Sequence, residues 1–366
     1  MDWGLHFPSH IDSWKWVSHA ENKGFSYYMP YDSIGSDVYE TLALCAFNTK
    51  KIKLGPGVTS PRSRIAPVTA RAMATLNQIA PGRCVLGIGS GNTARRAWGM
   101  PIAKLEEIRE EVEILRKMLK GKEAVYTEGP GKYMPEERKR YVKFLSPDWG
   151  FINKDDEIPI YIAGSGPKTL ELAGEIADGI ILLGAIGQSF VDYCMKHLRI
   201  GAERAGRNAD DLYTIVLTAY HILNEYETLQ SESVRQSVGP VAAVCLNIAA
   251  LSLVNNQSNT GNALGEPLPG DIREEVMQFK DAYPEDEDLM RKHLTLYGNY
   301  FLWNQEYASM LTPETIKTST LVGTADEITD TIRRLESQGI NQIMIAPLPD
   351  PVKSIDSFHD NIMSRY

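Results

Sequence analysis

Short apolar runs alternate with segments of helical spacing along most of this chain. Apolar residues crowd 3–7 and 25–29. Each run gives way to a segment, 12–23 and 36–48, in which apolar positions recur every three or four residues. Ser36 is placed to cap the second of these helices. The runs 53–58 and 84–88 flank a third helical segment at 67–80, and both stop at small or polar residues. Over 103–120, Ile102, Leu105, Ile108, Val112, Leu115 and Leu119 form a stripe closed by Gly121, which predicts a core-facing helix without chemistry of its own. Residues 121–157 break the rhythm with Pro130, Pro135, Pro147 and mixed charges, and read as an excursion holding short strands or a hairpin. The alternation resumes with strands at 158–163, 179–183 and 212–223 and helices at 167–177 and 187–206. It closes with a helix at 324–338, a strand at 340–346 and a helix after Pro351.

Strands centred near residues 4, 27, 55, 86, 160, 181, 216 and 343, alternating with helices, supply the number that a closed (β/α)8 TIM barrel requires. The alternative is a doubly wound open sheet with an appended lobe. The alternation spans the chain without a shift in composition, which favours a single barrel domain over 1–366. That domain carries the excursion at about 121–157 and a helical insertion at about 225–320. In a barrel, such an insertion lies over the mouth as a lid. Within it, His293, Tyr297, Tyr300, Phe301 and Trp303 make an aromatic segment that either packs as an interface or faces substrate.

The 366 residues are 43% hydrophobic, enough for a large core, and a net charge of -9 gives no support to a nucleic-acid partner. Cys45, Cys84, Cys194 and Cys245 show no C-x-x-C spacing and are expected to be buried thiols. The start lacks a basic segment followed by an apolar run, and the apolar stretch 238–254 is interrupted by Gly239, Pro240 and Asn247. A cytoplasmic protein without a membrane span is therefore expected. H-E-x-x-H, Cys/His metal spacing, G-x-x-x-x-G-K-[ST] and G-x-S-x-G are all missing from the sequence. Metal hydrolase, phosphate-loop NTPase and serine hydrolase chemistry thus have no support, and no metal site is expected.

The candidate chemistry collects where strands end. Gly87, Gly89 and Gly91 alternate along one strand end, which would clear one face for a flat ligand. Gly89-Ser90-Gly91-Asn92 resembles a fragment of a dinucleotide fingerprint. It lacks the third glycine and the acidic partner, and the next helix is expected about ten residues later. Gly164-Ser165-Gly166-Pro167 joins a strand to a helix with proline in its first turn, an arrangement suited to a phosphate or simply to a tight turn. His6 and Asp32 lie just past the first two strands and His221 on the seventh, all three candidates for proton transfer, with hydrogen-bonded scaffold as the bland alternative.

Three blocks, in order, carry a resemblance. L-G-P-G-V-T-S-P-R-S-R-I-A-P-V-T-A with A-T-L-N-Q-I-A-P-G-R-C-V-L-G-I-G-S-G-N resembles the luciferase-like monooxygenase superfamily, in particular its branch similar to methylenetetrahydromethanopterin reductase. I-P-I-Y-I-A-G-S-G-P-K-T-L-E-L-A-G-E-I-A-D-G-I-I-L and T-L-V-G-T-A-D-E-I are similar to that family's later signatures. The resemblance implies a barrel binding reduced FMN or the deazaflavin F420 at the C-terminal mouth. It also implies that Gly57-Val58 forms a bulge, often with a non-prolyl cis peptide, behind the tricyclic ring. Thr59, Gly89 and Asn92 would contact the ring or its side chain, and Gly164, Ser165 and Gly166 the phosphate.

On that resemblance the leading expectation is a monooxygenase using reduced FMN and oxygen on a small organic substrate, supplied by a separate flavin reductase. The alternative is an F420-dependent hydride-transfer enzyme. A third reading, of another class, is a non-catalytic flavin-binding protein. The resemblance also implies a homodimer or homotetramer.

Overall fold

The computed structural model describes the chain apart from residues 34, 93, 130–135, 146–148, 185, 255–271 and 282–310. The predicted aromatic segment from His293 to Trp303 lies outside the described residues.

Eight parallel strands form one sheet. They are β1 (Asp2–Leu5), β2 (Tyr27–Tyr28), β3 (Lys53–Leu54), β4 (Leu86–Ile88), β7 (Ile160–Ala163), β8 (Gly179–Leu183), β9 (Tyr213–Thr218) and β12 (Gln342–Ile345). Their spatial order is β3-β2-β1-β12-β9-β8-β7-β4. The two outer strands meet through parallel bridges, Leu54 to Cys84 and Thr59 to Ile88, and the sheet curls round on itself as a (β/α)8 barrel. Between the strands run α1 (Ser13–Asn22), α2 (Val38–Asn48), α3 (Ala66–Ile79), a short α4 (Ala94–Ala97), α5 (Leu105–Leu119), α6 (Pro167–Ile176) and α7 (Gln188–Arg204). The last repeats add α11 (Ala325–Ser337) and α12 (Pro351–Asn361).

Alternation of side chains across each strand divides the core in two. Outward residues such as Leu5, Tyr28, Leu86, Ile162, Val216 and Ile343 pack under the helices in one continuous cluster. Inward residues, Tyr27, Met29, Val85, Tyr161, Ile181, Ile215, Leu217 and Met344, fill the barrel. Tyr161 and Tyr213 stack at 5.6 Å near the strand starts, so the interior is packed and the mouth is at the other end.

The excursion contains the antiparallel hairpin β5 (Ala124–Glu128) with β6 (Arg138–Val142), as expected. The insertion after β9 contains α8 (Glu232–Val254), α9 (Arg273–Asp281) and α10 (Pro313–Ser319). The inner face of α8 buries Val234, Val238, Val241 and Leu246 against Ala219, Ala346 and Leu348, close to the barrel's C-terminal end. Among the described residues, no helix is long and apolar enough to cross a membrane. The four cysteines are free and buried, and burial pushes the thiols of Cys45, Cys84 and Cys245 up to about 12.

Three local expectations are corrected. The run 212–223 is not one strand: β9 ends at Thr218 and β10 (Tyr220–Ile222) joins β11 (Leu321–Gly323) in a separate parallel pair. The chain changes partners at Ala219. The Ala346 N–H donates to Thr218 O at 2.8 Å, whereas the Leu321 N–H donates to Ala219 O at 2.9 Å. Asp37, not Ser36, caps α2, because its carboxylate accepts the N–H groups of Tyr39 and Glu40 at 2.9 and 3.3 Å. The helix expected about ten residues after Asn92 is α5, but the short α4 intervenes directly after the glycines.

Candidate active site

The C-terminal ends of β1 to β4 bring the first group of predicted residues together. His6 follows β1 with its ring facing inward, 2% exposed. Its Nδ1 lies 2.8 Å from Met29 O, and since a carbonyl can only accept, Nδ1 carries the proton and Nε2 the lone pair. Burial lowers the imidazole pKa to about 4, with the Met29 hydrogen bond opposing, so His6 is neutral at physiological pH. Three residues beyond Met29, Asp32 is also buried. Its N–H donates to Val58 O at 3.2 Å, and its Oδ2 accepts the Thr59 hydroxyl at 2.8 Å. Burial raises its pKa, while the Thr59 hydroxyl and the charge of Arg64 work against that shift.

A clasp behind Asp32 was not foreseen. Arg64 places its guanidinium 4.7 Å from the centre of the Tyr39 ring and pairs with Asp37, the residue that caps α2. It ties the loop after β3 to the start of α2. No motif in the sequence marks it, since the three residues meet only through the fold.

The Gly57-Val58 peptide is cis, as the resemblance implies, and lies between the two bridges that join β3 to β4. Here the glycine run acquires a different explanation from the one expected. A Cβ on Gly87 would sit 2.6 Å from Pro56 O and 3.0 Å from Val58 Cγ1, and one on Gly89 would sit 2.7 Å from Val58 Cγ2. Gly87 and Gly89 therefore make room for the Val58 side chain, and it is Val58 that presents a surface to the mouth. Val58, Ala163 and Leu183, all only part-buried, pack on the interior cluster as an apolar shelf. Asn92 lies half-buried in the turn before α4.

Beside the shelf, on the strand next to β4, Gly164, Ser165 and Gly166 join β7 to α6. Gly166 is the N-cap, Pro167 opens the helix and no side chain caps it, which leaves backbone N–H groups of the first turn for a ligand. Gly164 also serves packing, since a Cβ there would meet Thr169 Cγ2 at 2.4 Å. An apolar shelf beside an uncapped helix N-terminus fits a flat ring system that carries a phosphate.

His221 is not gathered into this mouth. It sits on β10, with Nδ1 3.0 Å from Ser237 Oγ on α8 and Nε2 3.1 Å from Glu227 Oε2. Burial would raise the Glu227 pKa, but hydrogen bonds from Ser233, Asn224 and His221 hold it at about 2. The histidine thus fastens the base of the insertion. Glu111 is a further unforeseen group: it lies on the buried side of α5, and burial, with Glu110 nearby, raises its pKa to about 8 against the pull of Arg62. Its position, three residues after Ile108 and four before Leu115, is on the apolar stripe, and that was the legible signal. Among the described residues no group of His, Cys, Asp and Glu is arranged to hold a metal ion.

Comparison with known proteins accords with this geometry. A family model described as luciferase-like monooxygenase matches residues 13–342. A 5,10-methylenetetrahydromethanopterin reductase of Archaeoglobus fulgidus is 28% identical over 376 residues, covering 100% of this chain and 99% of that protein. An F420-dependent glucose-6-phosphate dehydrogenase of Nakamurella multipartita is 32% identical over 175 residues, 46% of this chain and 48% of that protein. The solved coenzyme F420-dependent tetrahydromethanopterin reductase of Methanopyrus kandleri shares the fold, with a TM-score of 0.67 at 22% identity, covering 100% of this chain and 99% of that one.

Proposed function

The chain belongs to the luciferase-like monooxygenase family, and on that premise we propose that it is an F420-dependent oxidoreductase that exchanges a hydride with a small organic substrate. The observation that carries this reading is the end-to-end similarity to a methylenetetrahydromethanopterin reductase, joined to a mouth whose residues suit a deazaflavin. The F420 dependence of the similar dehydrogenase supports the choice of cofactor. This reading departs from the leading expectation of a reduced-FMN monooxygenase, which stays as the second reading because the family is described by that activity.

When bound, the deazaflavin supplies two-electron hydride chemistry. The chain's own residues do the rest. Val58, Ala163 and Leu183 offer an apolar face that positions the ring and excludes water. Ser165 and the first-turn amides of α6 take the phosphate. Asp32, buried beside Thr59, is the group placed to hold or release a proton. His6, fixed by Met29 in one tautomer and kept neutral by burial, holds the end of β1 to the end of β2 beneath the mouth.

Oxygen uptake separates the two readings. Reduced FMN added to the purified protein, with and without a flavin reductase, should give no oxygen consumption above the buffer rate. Protein-dependent uptake would favour the monooxygenase. A protein that binds a flavin or deazaflavin tightly but turns over neither would be the non-catalytic binding protein.

A further inference from the structure

The barrel interior is mostly apolar, but polar side chains stand at the strand starts, where Asp2 accepts the Tyr213 hydroxyl and Lys53 donates to the Tyr27 hydroxyl. Gln342 opens β12 facing inward, two residues before Met344, and is fully buried. Among the described residues, neither its Oε1 nor its Nε2 has a hydrogen-bond partner. In the sheet register it stands beside Asp2 of β1 and Ile215 of β9, at the strand starts and therefore away from the mouth.

The neighbouring strand β1 is shaped for this side chain. A Cβ on Gly4 would lie 2.0 Å from Gln342 Nε2 and 3.3 Å from Tyr27 Cβ, so glycine at that position admits the amide into the barrel. An amide offers two donor hydrogens and an acceptor oxygen, and leaving all of them unmet inside the barrel is strongly unfavourable. Empty cavities inside proteins are apolar, whereas buried polar groups without protein partners are satisfied by ordered water. Strand carbonyls, each with a second lone pair, are among the groups such a water can reach.

We propose that the Gln342 amide is a built hydration site that holds at least one water molecule inside the barrel, beneath the cofactor mouth. The site does not depend on which cofactor the mouth takes.

The test uses the full-length protein with its Gln342→Leu and Gln342→Met variants. A crystal structure fine enough to show ordered water should reveal density within hydrogen-bonding distance of Oε1 or Nε2 in the parent, and none there in either variant. In solution, water oxygen relaxation dispersion, which counts long-lived internal waters, should show a loss of at least one in Gln342→Met. Melting curves identify which variant is folded, and the near-isosteric methionine serves where leucine fails. A dry amide in the parent, an amide turned onto a tyrosine hydroxyl, or an unchanged count of long-lived waters would each overturn the proposal.

Discussion

Alanine at position 89 separates two explanations of the glycine run. Its Cβ would lie 2.7 Å from Val58 Cγ2 and 3.7 Å from Ala163 Cβ, so the strain falls on the valine. Val58 is β-branched and stiff at χ1. Its backbone is also pinned: Val58 O accepts the Asp32 N–H, and the next residue's N–H donates to Gly87 O at 3.0 Å. Overpacking of this kind costs about 1–3 kcal/mol. Val58→Ala removes two methyl groups, a loss of roughly 1.6 kcal/mol at ~0.8 kcal/mol per buried carbon. In the Gly89→Ala/Val58→Ala double variant the new methyl takes the space that Cγ2 vacates. The two losses should then fail to add by about 1 kcal/mol or more, roughly a fivefold difference in the folded-to-unfolded ratio. Urea denaturation of the four proteins at one pH measures the coupling, and a cofactor titration of each runs beside it. The explanation fails if Gly89→Ala leaves the denaturation midpoint unchanged but eliminates cofactor binding, since the glycine would then face the ligand and not Val58.

Other outcomes follow from the same geometry. The folded state keeps His6 neutral down to about pH 4 whereas the unfolded chain takes up that proton near 6.5, so stability is complete above 6.5 and is lost as pH falls toward 4. The loss is on the order of 3 kcal/mol, and a His6→Gln variant should show a flatter profile in urea denaturation across that window. Glu111 has the opposite sign. Its folded pKa is raised to about 8, so its contribution is present at low pH and is lost as pH rises toward and through 8. Glu111→Gln should therefore be more stable than the parent at pH 9, by a margin on the order of 5 kcal/mol, and little different at pH 4; equal denaturation midpoints at pH 9 would show that the carboxyl is not held protonated. Ser165→Asp should abolish cofactor binding by repelling the phosphate, and an unchanged dissociation constant would place the phosphate elsewhere.

Periodicity made most of the barrel legible, because strands buried on both faces read as short apolar runs and their helices as stripes. It misled where two buried strands abut without a polar break. From 212 to 223 the residues stay mostly apolar, and only the partner change at Ala219 divides them. The Gly166-Pro167 helix start appeared where the sequence put it. The role of Gly87 and Gly89 was not legible, since the valine packed against them arrives from the segment after β3. For the same reason the Arg64, Tyr39 and Asp37 clasp left no local trace. Glu111 and Gln342 were legible in principle, each a polar residue on the buried face of its element.

The most direct test of the account is an equilibrium titration of the purified protein with F420 and with FMN, followed by fluorescence under identical conditions. F420 should bind at micromolar concentration or tighter, lose its affinity in Ser165→Asp, and be bound in preference to FMN. Tight FMN binding with no measurable affinity for F420 would contradict it.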